Sequence, residues 1–224
     1  MGFKVILDEL TRPPRTISLA KALQIIEQKD PKVSSDYHIM KYINRKHNEA
    51  AYKKAVEKTD QIIAMHNDCV KPNEPWLFLG DLSEGEIIDA DDIRDLLALI
   101  QSLHGNPKIM VKGNNDTFTN TEVYNYMGFQ YVAEKTIVSD NLKIIFSHEP
   151  IDISEKGLDK SGWINVRGHS HGTNLVYNMS PEAQLDVWYG LTQNKVLSLS
   201  RLLELYETTS VHDCKSLFKS YNWT

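Results

Sequence analysis

Five strand-length segments of this sequence each end in a small group of polar side chains. Helical stretches separate most of these segments, and such an alternation is typical of α/β folds. In α/β sheets, ligands bind at the carboxyl ends of the strands. We therefore expect the five polar groups to converge at one edge of a sheet. The groups are Asp36-Tyr37-His38, Gly80-Asp81, Gly113-Asn114-Asn115-Asp116, His148 and Gly168-His169-Ser170-His171.

The donor types in these groups suit a metal site. Carboxylate, imidazole and carboxamide donors favour divalent ions such as Mn, Fe, Ni or Zn over Ca. Asp36 and His38 stand one residue apart, as do His169 and His171. Because side chains i and i+2 of an extended segment point to the same face, we expect both members of each pair to reach one cluster.

The local sequence separates these donors from the other histidines. A glycine directly precedes Asp81, Asn114 and His169, and glycine lets the backbone turn sharply where it leaves a strand. The remaining histidines stand in helical or turn contexts, and we interpret them as packed or solvated side chains. They are His47, His66, His104 and His212.

Apolar periodicity predicts the remaining secondary structure. Ser18 is placed to cap a first helix whose apolar face is Leu19, Leu23 and Ile26, and Asp30-Pro31 ends that helix. Further helices are predicted at residues 48–69, 91–103, 198–206 and 213–221, with a helical turn at 121–127. Strands are predicted at residues 3–7, 32–35, 76–79, 108–111, 131–138, 142–146, 163–166 and 185–191. These elements predict an α/β layered domain with a largely mixed sheet.

Length and composition bound the class of protein. A chain of 224 residues with 41% hydrophobic and 25% charged residues is typical of one soluble globular domain. We find no secretory signal and no apolar run as long as a membrane span. Cys69 and Cys214 form no ligand cluster, so we expect two free thiols in a cytoplasmic protein without membrane partners. The net charge of −5 provides no large positive field for nucleic acid.

The order of the motifs resembles that of the calcineurin-like metallophosphoesterase family, whose pattern is DxH, GD, GNH[DE], a lone His and GHxH. The small single-domain phosphoesterases of bacteria and phages are the most similar subgroup, and Leu185-Asp186-Val187-Trp188 resembles their ending. The resemblance implies a single domain with a core at about 32–205 and extensions at 1–31 and 206–224. The implied fold is an α/β four-layer sandwich of two mixed β-sheets flanked by helices.

The resemblance also implies a role for each matching residue. Two divalent ions would each be held by three residues and bridged by a seventh. The first three are Asp36, His38 and His171, the second three are Asn114, His148 and His169, and the bridging residue is Asp81. We expect a hydroxide that bridges ions about 3.5–4 Å apart to attack the phosphorus of a phosphate ester. A phosphodiester is favoured, and His169 would help to neutralise charge on the phosphoryl oxygens.

The sequence departs from the family pattern at the GNH triplet. Asn115 stands where relatives have a histidine that assists the leaving group. A carboxamide can donate a hydrogen bond but cannot act as a general acid at pH 7. We therefore expect Asn115 to orient the leaving side, and Asp116 to orient the loop rather than to carry out chemistry.

Two alternatives to a phosphodiesterase stay open. One is a nuclease, because basic residues follow the first donor pair, although such charges on a helix usually form a solvated face. These residues are Lys41, Arg45, Lys46, Lys53 and Lys54. Arg45 and Arg167 are equally compatible with phosphate contacts and with packing. The other alternative is a catalytically weak or inactive scaffold; the missing histidine favours it, and the retention of all seven ligand types argues against it.

Overall fold

A computed structural model describes residues 15–39, 49–83, 90–116, 118, 121–153, 162–171, 176–179, 182–188 and 195–208. The predicted strand at 3–7 and the predicted helix at 213–221 lie outside these residues. So do several side chains discussed above, namely Lys41, Arg45, Lys46, His47, His212 and Cys214.

Ten strands form two sheets in the described part of the chain. In chain order they are β1 (Lys32–Ser34), β2 (Trp76–Leu79), β3 (Lys108–Val111), β4 (Phe129–Ala133), β5 (Thr136–Ser139), β6 (Ile144–Ser147), β7 (Ile164–Arg167), β8 (Val176–Met179), β9 (Glu182–Asp186) and β10 (Leu197–Ser198). The first sheet has the order β10-β1-β2-β3-β4, and the second has the order β5-β6-β7-β9-β8.

Both sheets are mixed, and their parallel strands determine where the loops meet. Strands β1 to β4 run parallel, with Lys32 paired to Trp76 and Trp76 paired to Lys108, while β10 lies antiparallel to β1. In the second sheet β6, β7 and β9 are parallel, and β5 and β8 are antiparallel edge strands. The loops after β1, β2 and β3 therefore leave the first sheet at one edge, as the loops after β6 and β7 leave the second.

Five helices accompany the sheets in the described residues. They are α1 (Leu19–Gln28), α2 (Glu49–Cys69), α3 (Ala90–Ser102), α4 (Glu122–Tyr126) and α5 (Leu199–Thr208). Helices α2, α3 and α4 share an apolar cluster with one face of the first sheet. The protein thus has the predicted α/β architecture of two mixed sheets with flanking helices. None of the described helices is both long and apolar enough to cross a membrane.

Helix α1 begins as predicted, and of its predicted apolar face Ile26 is buried and Leu23 packs against the core, whereas Leu19 is exposed. The Ser18 hydroxyl accepts a hydrogen bond from the backbone N–H of Lys21 at 3.2 Å, which is a side-chain N-cap. The buried residues are Ala22, Ile25 and Ile26, whereas Leu19 is 46% exposed. The apolar stripe therefore lies at positions 22, 25 and 26, and Leu19 begins the helix outside it.

Strand β2 is buried on both of its faces, and such burial explains why a short run of apolar residues predicts a strand. Leu77 and Leu79 belong to a cluster that contains side chains of both sheets, and Trp76 and Phe78 belong to the cluster beneath α2, α3 and α4. Alternate residues of a strand point to opposite faces, and here both faces are buried. A continuous apolar run is the result.

The strand predictions were wrong at three places, one of them β10 (Leu197–Ser198), which was not predicted. The predicted strand at 131–138 is two strands, because β4 ends at Ala133 in the first sheet and β5 begins at Thr136 in the second. The exposed pair Glu134-Lys135 connects the two sheets there. Strand β8 was not predicted, and β9 covers residues 182–186 rather than beginning at 185.

A buried chain of hydrogen bonds explains the polar sequence of β1. The Trp76 indole N–H donates to Ser34 Oγ at 2.9 Å, and the Ser34 hydroxyl donates to the Tyr37 oxygen at 2.9 Å. The Tyr37 hydroxyl lies 2.8 Å from His66 Nδ1, and His66 Nε2 lies 2.9 Å from the carbonyl oxygen of His104. A carbonyl only accepts, so Nε2 carries the proton and Nδ1 accepts from Tyr37. His66 is thus a packed histidine, as predicted.

Candidate metal centre

The loops after β1 and β2 are joined through their backbones. The backbone N–H of Asp36 donates to the carbonyl of Gly80 at 2.9 Å, and that of His38 donates to the carbonyl of Asp81 at 3.0 Å. These contacts bring the side chains of Asp36, His38 and Asp81 to one place, and all three are buried.

The backbone of the donor pairs differs from the predicted extended form. Five candidate donors have left-handed backbone conformations with φ between 43° and 74°. They are Asp36, His38, Asp81, His169 and His171. The expectation that extended geometry places donors i and i+2 on one face was therefore wrong. Such conformations cost about 1–3 kcal/mol each for non-glycine residues, and surrounding contacts must maintain them.

The first predicted group of donors comes together in the structure. His38 Nε2 lies 2.9 Å from His171 Nε2, and His171 Nε2 lies 3.2 Å from Asp36 Oδ1. Donor atoms of these three residues all lie within 4.8 Å of one another. The carboxylate of Asp36 raises the pKa of His171 by hydrogen bonding, although partial burial acts in the opposite direction.

The second predicted group also comes together. Asn114 Oδ1 lies 3.1 Å from His148 Nε2 and 3.0 Å from His169 Nδ1. The two imidazole nitrogens of His148 and His169 are 3.3 Å apart. His148 is buried, whereas Asn114 and His169 are exposed, so this group opens toward solvent.

Asp81 lies between the two groups. Its Oδ1 is 3.3 Å from His148 Nε2, and its Oδ2 is 3.8 Å from His38 Nε2. Burial acts to raise the pKa of Asp81, but hydrogen bonds from His148 and Asn115 outweigh it and lower the pKa to about 2. The carboxylate is therefore ionised, with one oxygen nearest to each group.

The hydrogen bond of His148 to the backbone leaves Nε2 facing two oxygens, where a proton or a metal ion can bind. His148 Nδ1 lies 2.8 Å from the carbonyl oxygen of Leu79, so Nδ1 must be the donor. In the neutral ring, Nε2 then directs a lone pair at the oxygens of Asp81 and Asn114. Lone pairs facing lone pairs repel unless a proton or a metal ion lies among them. Burial lowers the pKa of His148, but the nearby carboxylates, chiefly Asp81, raise it overall.

Three glycines are required for space, and a Cβ atom on Gly80 would lie 2.6 Å from the backbone nitrogen of Gly113. A Cβ atom on Gly113 would collide with the carboxylate of Asp81, and one on Gly168 would lie 2.5 Å from Asp36 Oδ2. Only Gly80 of the three loop glycines has the positive φ, +86°, that a sharp turn requires. Two of the predicted turn glycines thus permit close approach of loops instead.

Asn115 and Asp116 both contact the loop that carries Asp81. Asn115 donates its backbone N–H to Asp81 Oδ1 at 2.9 Å and its side-chain N–H to Asp81 Oδ2 at 2.7 Å. Asp116 accepts the backbone N–H groups of Asp81, Leu82 and Gly113 at 2.7–3.0 Å. Burial raises the pKa of Asp116 to about 6. Its buried carboxylate joins the loops of Asp81 and Gly113.

Trp188 and Asp186 lie beside the first group and had no predicted role, and Arg167, which the sequence left open between phosphate contact and packing, is a packed residue. The Trp188 ring stacks on the His171 ring, and the backbone N–H of Trp188 donates to Asp186 at 3.0 Å. Arg167 is buried and donates to the carbonyl of Gly168 at 2.6 Å, so it supports the loop from inside. Asp186 and Trp188 stand inside the strand predicted at 185–191, but Asp186 is the last residue of β9, so the misplaced strand end hid their position at the carboxyl end.

A cavity of about 460 Å³ opens beside Asn114 and His148. Its walls are segments 112–114, 134–136 and 147–152, which come from both sheets. This volume lies in the range of small-molecule sites, about 300–1,000 Å³. The cavity can therefore hold an organic group next to the second group of donors.

Comparisons with known proteins give the family and the fold. Residues 32–213 match the sequence profile of the family described as calcineurin-like phosphoesterase. None of the curated proteins matches the sequence. A solved structure of a protein of unknown function from Aquifex aeolicus is similar at 18% identity, with a TM-score of 0.51, covering 78% of this chain and 97% of that one.

Two further solved structures are similar over a smaller share of the chain. An archaeal phosphodiesterase has 15% identity and a TM-score of 0.39, covering 69% of this chain and 81% of its own. The Pseudomonas putida nuclease MPE has 19% identity and a TM-score of 0.35, covering 64% of this chain and 62% of its own.

Proposed function

Because this chain belongs to the calcineurin-like phosphoesterase family, we propose that it hydrolyses a phosphodiester at a pair of divalent metal ions. Family membership makes the protein a metal-dependent hydrolase of phosphate esters. The first ion is assigned to Asp36, His38 and His171, the second to Asn114, His148 and His169, and Asp81 to both.

The position of Asp81 between the two groups carries the proposal. Its oxygens lie 3.3 Å from His148 Nε2 and 3.8 Å from His38 Nε2, so one carboxylate can serve both groups. Imidazole nitrogens and carboxylate oxygens at these separations suit Mn, Fe, Ni or Zn, and Mn²⁺ is the ion we propose to test first. We propose that the enzyme acts in the cytoplasm.

The ions would supply the nucleophile by lowering the pKa of a water molecule between them to near neutrality. The residues of the chain contribute positioning and charge. His169 is exposed beside Asn114, where its imidazole can donate to a phosphoryl oxygen of a bound substrate. Asp116 is buried and holds the loops, so it acts on the geometry of the site rather than on the substrate.

The cavity supports a diester as the substrate. A diester carries a second alcohol that must lie somewhere beside the reacting phosphorus, and the cavity borders Asn114 and His148. The cavity is lined by three carboxylates and two lysine ammonium groups. They belong to Glu134, Glu149, Asp152, Lys112 and Lys135. This charge balance disfavours a dianionic monoester more than a monoanionic diester.

A substrate screen with Mn²⁺ tests the proposal. The probes are bis(p-nitrophenyl) phosphate, p-nitrophenyl phosphate and a single-stranded oligonucleotide. We expect the diester to be cleaved faster than the monoester, and Asp81→Asn to lose activity by about 100-fold or more. Asp140→Asn, at the exposed turn between β5 and β6, is the matched control and should behave like the wild type.

Each other result has a definite meaning. Faster cleavage of the monoester would contradict the diester preference. Cleavage of the oligonucleotide alone would favour the nuclease alternative. Bound Mn²⁺ without cleavage of any ester would favour the scaffold alternative, and failure to bind Mn²⁺ would contradict the assigned metal site.

A further inference from the structure

Asn115 contacts both oxygens of one carboxylate. Its backbone N–H lies 2.9 Å from Asp81 Oδ1, and its side-chain nitrogen lies 2.7 Å from Asp81 Oδ2. Two donors of one residue thus bind the two oxygens of another, and both distances are those of good hydrogen bonds. This paired contact restricts rotation of the Asp81 carboxylate about its Cβ–Cγ bond.

The remaining acceptor positions of Asp81 face the two groups of donors. An ionised carboxylate has about four lone-pair sites, two on each oxygen. Asn115 takes one site on each oxygen. The other site on Oδ1 is left for the His148 side, at 3.3 Å, and that on Oδ2 for the His38 side, at 3.8 Å.

We propose that Asn115 is a positioning residue, which turns the Asp81 carboxylate so that one oxygen serves each metal ion. This inference rests on the proposed function and replaces the expected contact of Asn115 with the leaving group. One of the two N–H groups of the Asn115 amide is engaged by Asp81, and this bond fixes the orientation of the amide.

The neighbouring residue supports the same arrangement. Asp116 binds the backbone of Asp81 at 2.8 Å and that of Leu82 at 3.0 Å. Asp116 therefore sets where the Asp81 backbone lies, and Asn115 sets how its carboxylate is turned. The family histidine at position 115 would place an imidazole where this chain has a short amide, whose nitrogen reaches Asp81 Oδ2 at 2.7 Å.

Mn²⁺ binding to the full-length chain tests the inference. Isothermal titration calorimetry would compare the wild type with Asn115→Ala and Asn115→Leu; the second variant keeps the side-chain volume but removes the donor. We expect two bound ions in the wild type and a loss of affinity of about 10–100-fold for at least one ion in both variants. In electron paramagnetic resonance, the exchange coupling of the paired Mn²⁺ ions should weaken.

Asn141→Ala is a matched control. Asn141 also donates its side-chain amide to a carboxylate, that of Glu27 at 2.9 Å, at an exposed turn. This variant should bind Mn²⁺ like the wild type. Thermal unfolding of the metal-free variants would establish that each one folds, so that a change in metal affinity reports on the site.

Kinetics separates positioning from a role at the leaving group. If Asn115 positions Asp81, Asn115→Ala should slow nitrophenyl and alkyl diesters by the same factor. A selective loss on alkyl diesters with unchanged Mn²⁺ affinity would overturn the inference and restore the leaving-group role. Unchanged Mn²⁺ affinity and unchanged exchange coupling in both variants would overturn the positioning role of Asn115 but not the proposed metal site. A wild type that binds no Mn²⁺ would overturn both.

Discussion

The indole ring of Trp188 lies parallel to the imidazole ring of His171, with centroids 5.1 Å apart and an angle of 9° between the planes. The His171 side chain is 38% exposed, so packing on its other sides is incomplete. Stacking on Trp188 therefore limits the orientations of the ring that presents Nε2 to Asp36 and His38.

The first prediction concerns this stacked pair. Trp188→Ala should weaken binding of one Mn²⁺ ion by about 10-fold, because His171 would sample more orientations. Trp188→Phe keeps an aromatic face and should retain most of the affinity. The measurement is calorimetric Mn²⁺ binding, and wild-type affinity in Trp188→Ala would mean that Asp36 alone orients His171.

The second prediction concerns the leaving group. Asn115 cannot release a proton at pH 7, whichever atom its amide contacts. Help from a general acid typically contributes about 10²–10⁴-fold when a poor leaving group departs. We therefore expect nitrophenyl diesters to be cleaved far faster than alkyl diesters, with a steep dependence of rate on leaving-group pKa. A flat dependence would indicate that another group, such as His169, supplies the proton.

The sequence predicted the strands of the core well because of their burial. The predicted strands at 76–79 and 108–111 coincide with β2 and β3, whose residues are buried on both faces. Polar residues directly after such a strand must lie at its carboxyl end, so the chain order places the donors of each sheet at one edge. The expectation that all five groups share one edge of a single sheet was wrong, because the donors follow strands of two sheets.

Other parts of the structure depend on contacts that a sequence does not display. The left-handed backbone at Asp36 is maintained by hydrogen bonds that the backbone N–H of His169 donates to the Asp36 carboxylate. The stacking of Trp188 on His171 depends on the paths of two loops. The transfer of the chain between sheets at Glu134-Lys135 interrupts a run of strand-forming residues without any glycine or proline to mark it.

The third prediction concerns stability in mild acid. Burial lowers the pKa of His66 to about 4, below its usual value of 6.5. As the pH falls from about 6.5 to 4, the unfolded chain binds a proton that the folded protein does not, so stability is lost across this window. The loss is on the order of 3 kcal/mol. Urea unfolding of the metal-free protein should show this loss of stability. The His66→Gln variant should have a lower free energy of unfolding at pH 7, but that free energy should change less with pH.

His104→Gln is the control for this measurement. His104 is the next residue of the same hydrogen-bond chain, and its replacement leaves His66 in place. The variant should therefore keep the dependence on pH. Equal pH profiles for the wild type and His66→Gln would contradict the assignment.

The fourth prediction concerns a buried lysine. Lys108 is 6% exposed and donates to the carbonyl of Ile100 at 3.3 Å, and burial lowers its pKa to about 8. Below about pH 8 the folded protein bears the cost of a buried charge. Between about pH 8 and 10.5 the amine is neutral in the folded state but still protonated in the unfolded chain, so stability rises with pH. Lys108→Met should therefore stabilise the protein at pH 7 by about 1–3 kcal/mol.

Urea unfolding at pH 7 and pH 9.5 would check this prediction. The advantage of Lys108→Met should shrink at the higher pH, because the wild type no longer buries a full charge there. Lys135→Met, at an exposed position, is the matched control. A destabilised Lys108→Met would mean that the bond to Ile100 outweighs the cost of burial.

The candidate donors come from both sheets: Asp36, His38, Asp81 and Asn114 follow strands of the first sheet, and His148, His169 and His171 follow strands of the second. Ions bound as proposed would join the sheets across the core. The sheets could then not part without first releasing metal, so the ions would slow unfolding more than they would speed folding. The lifetime of the folded enzyme under proteolysis, and not only its turnover, would then depend on the supply of metal.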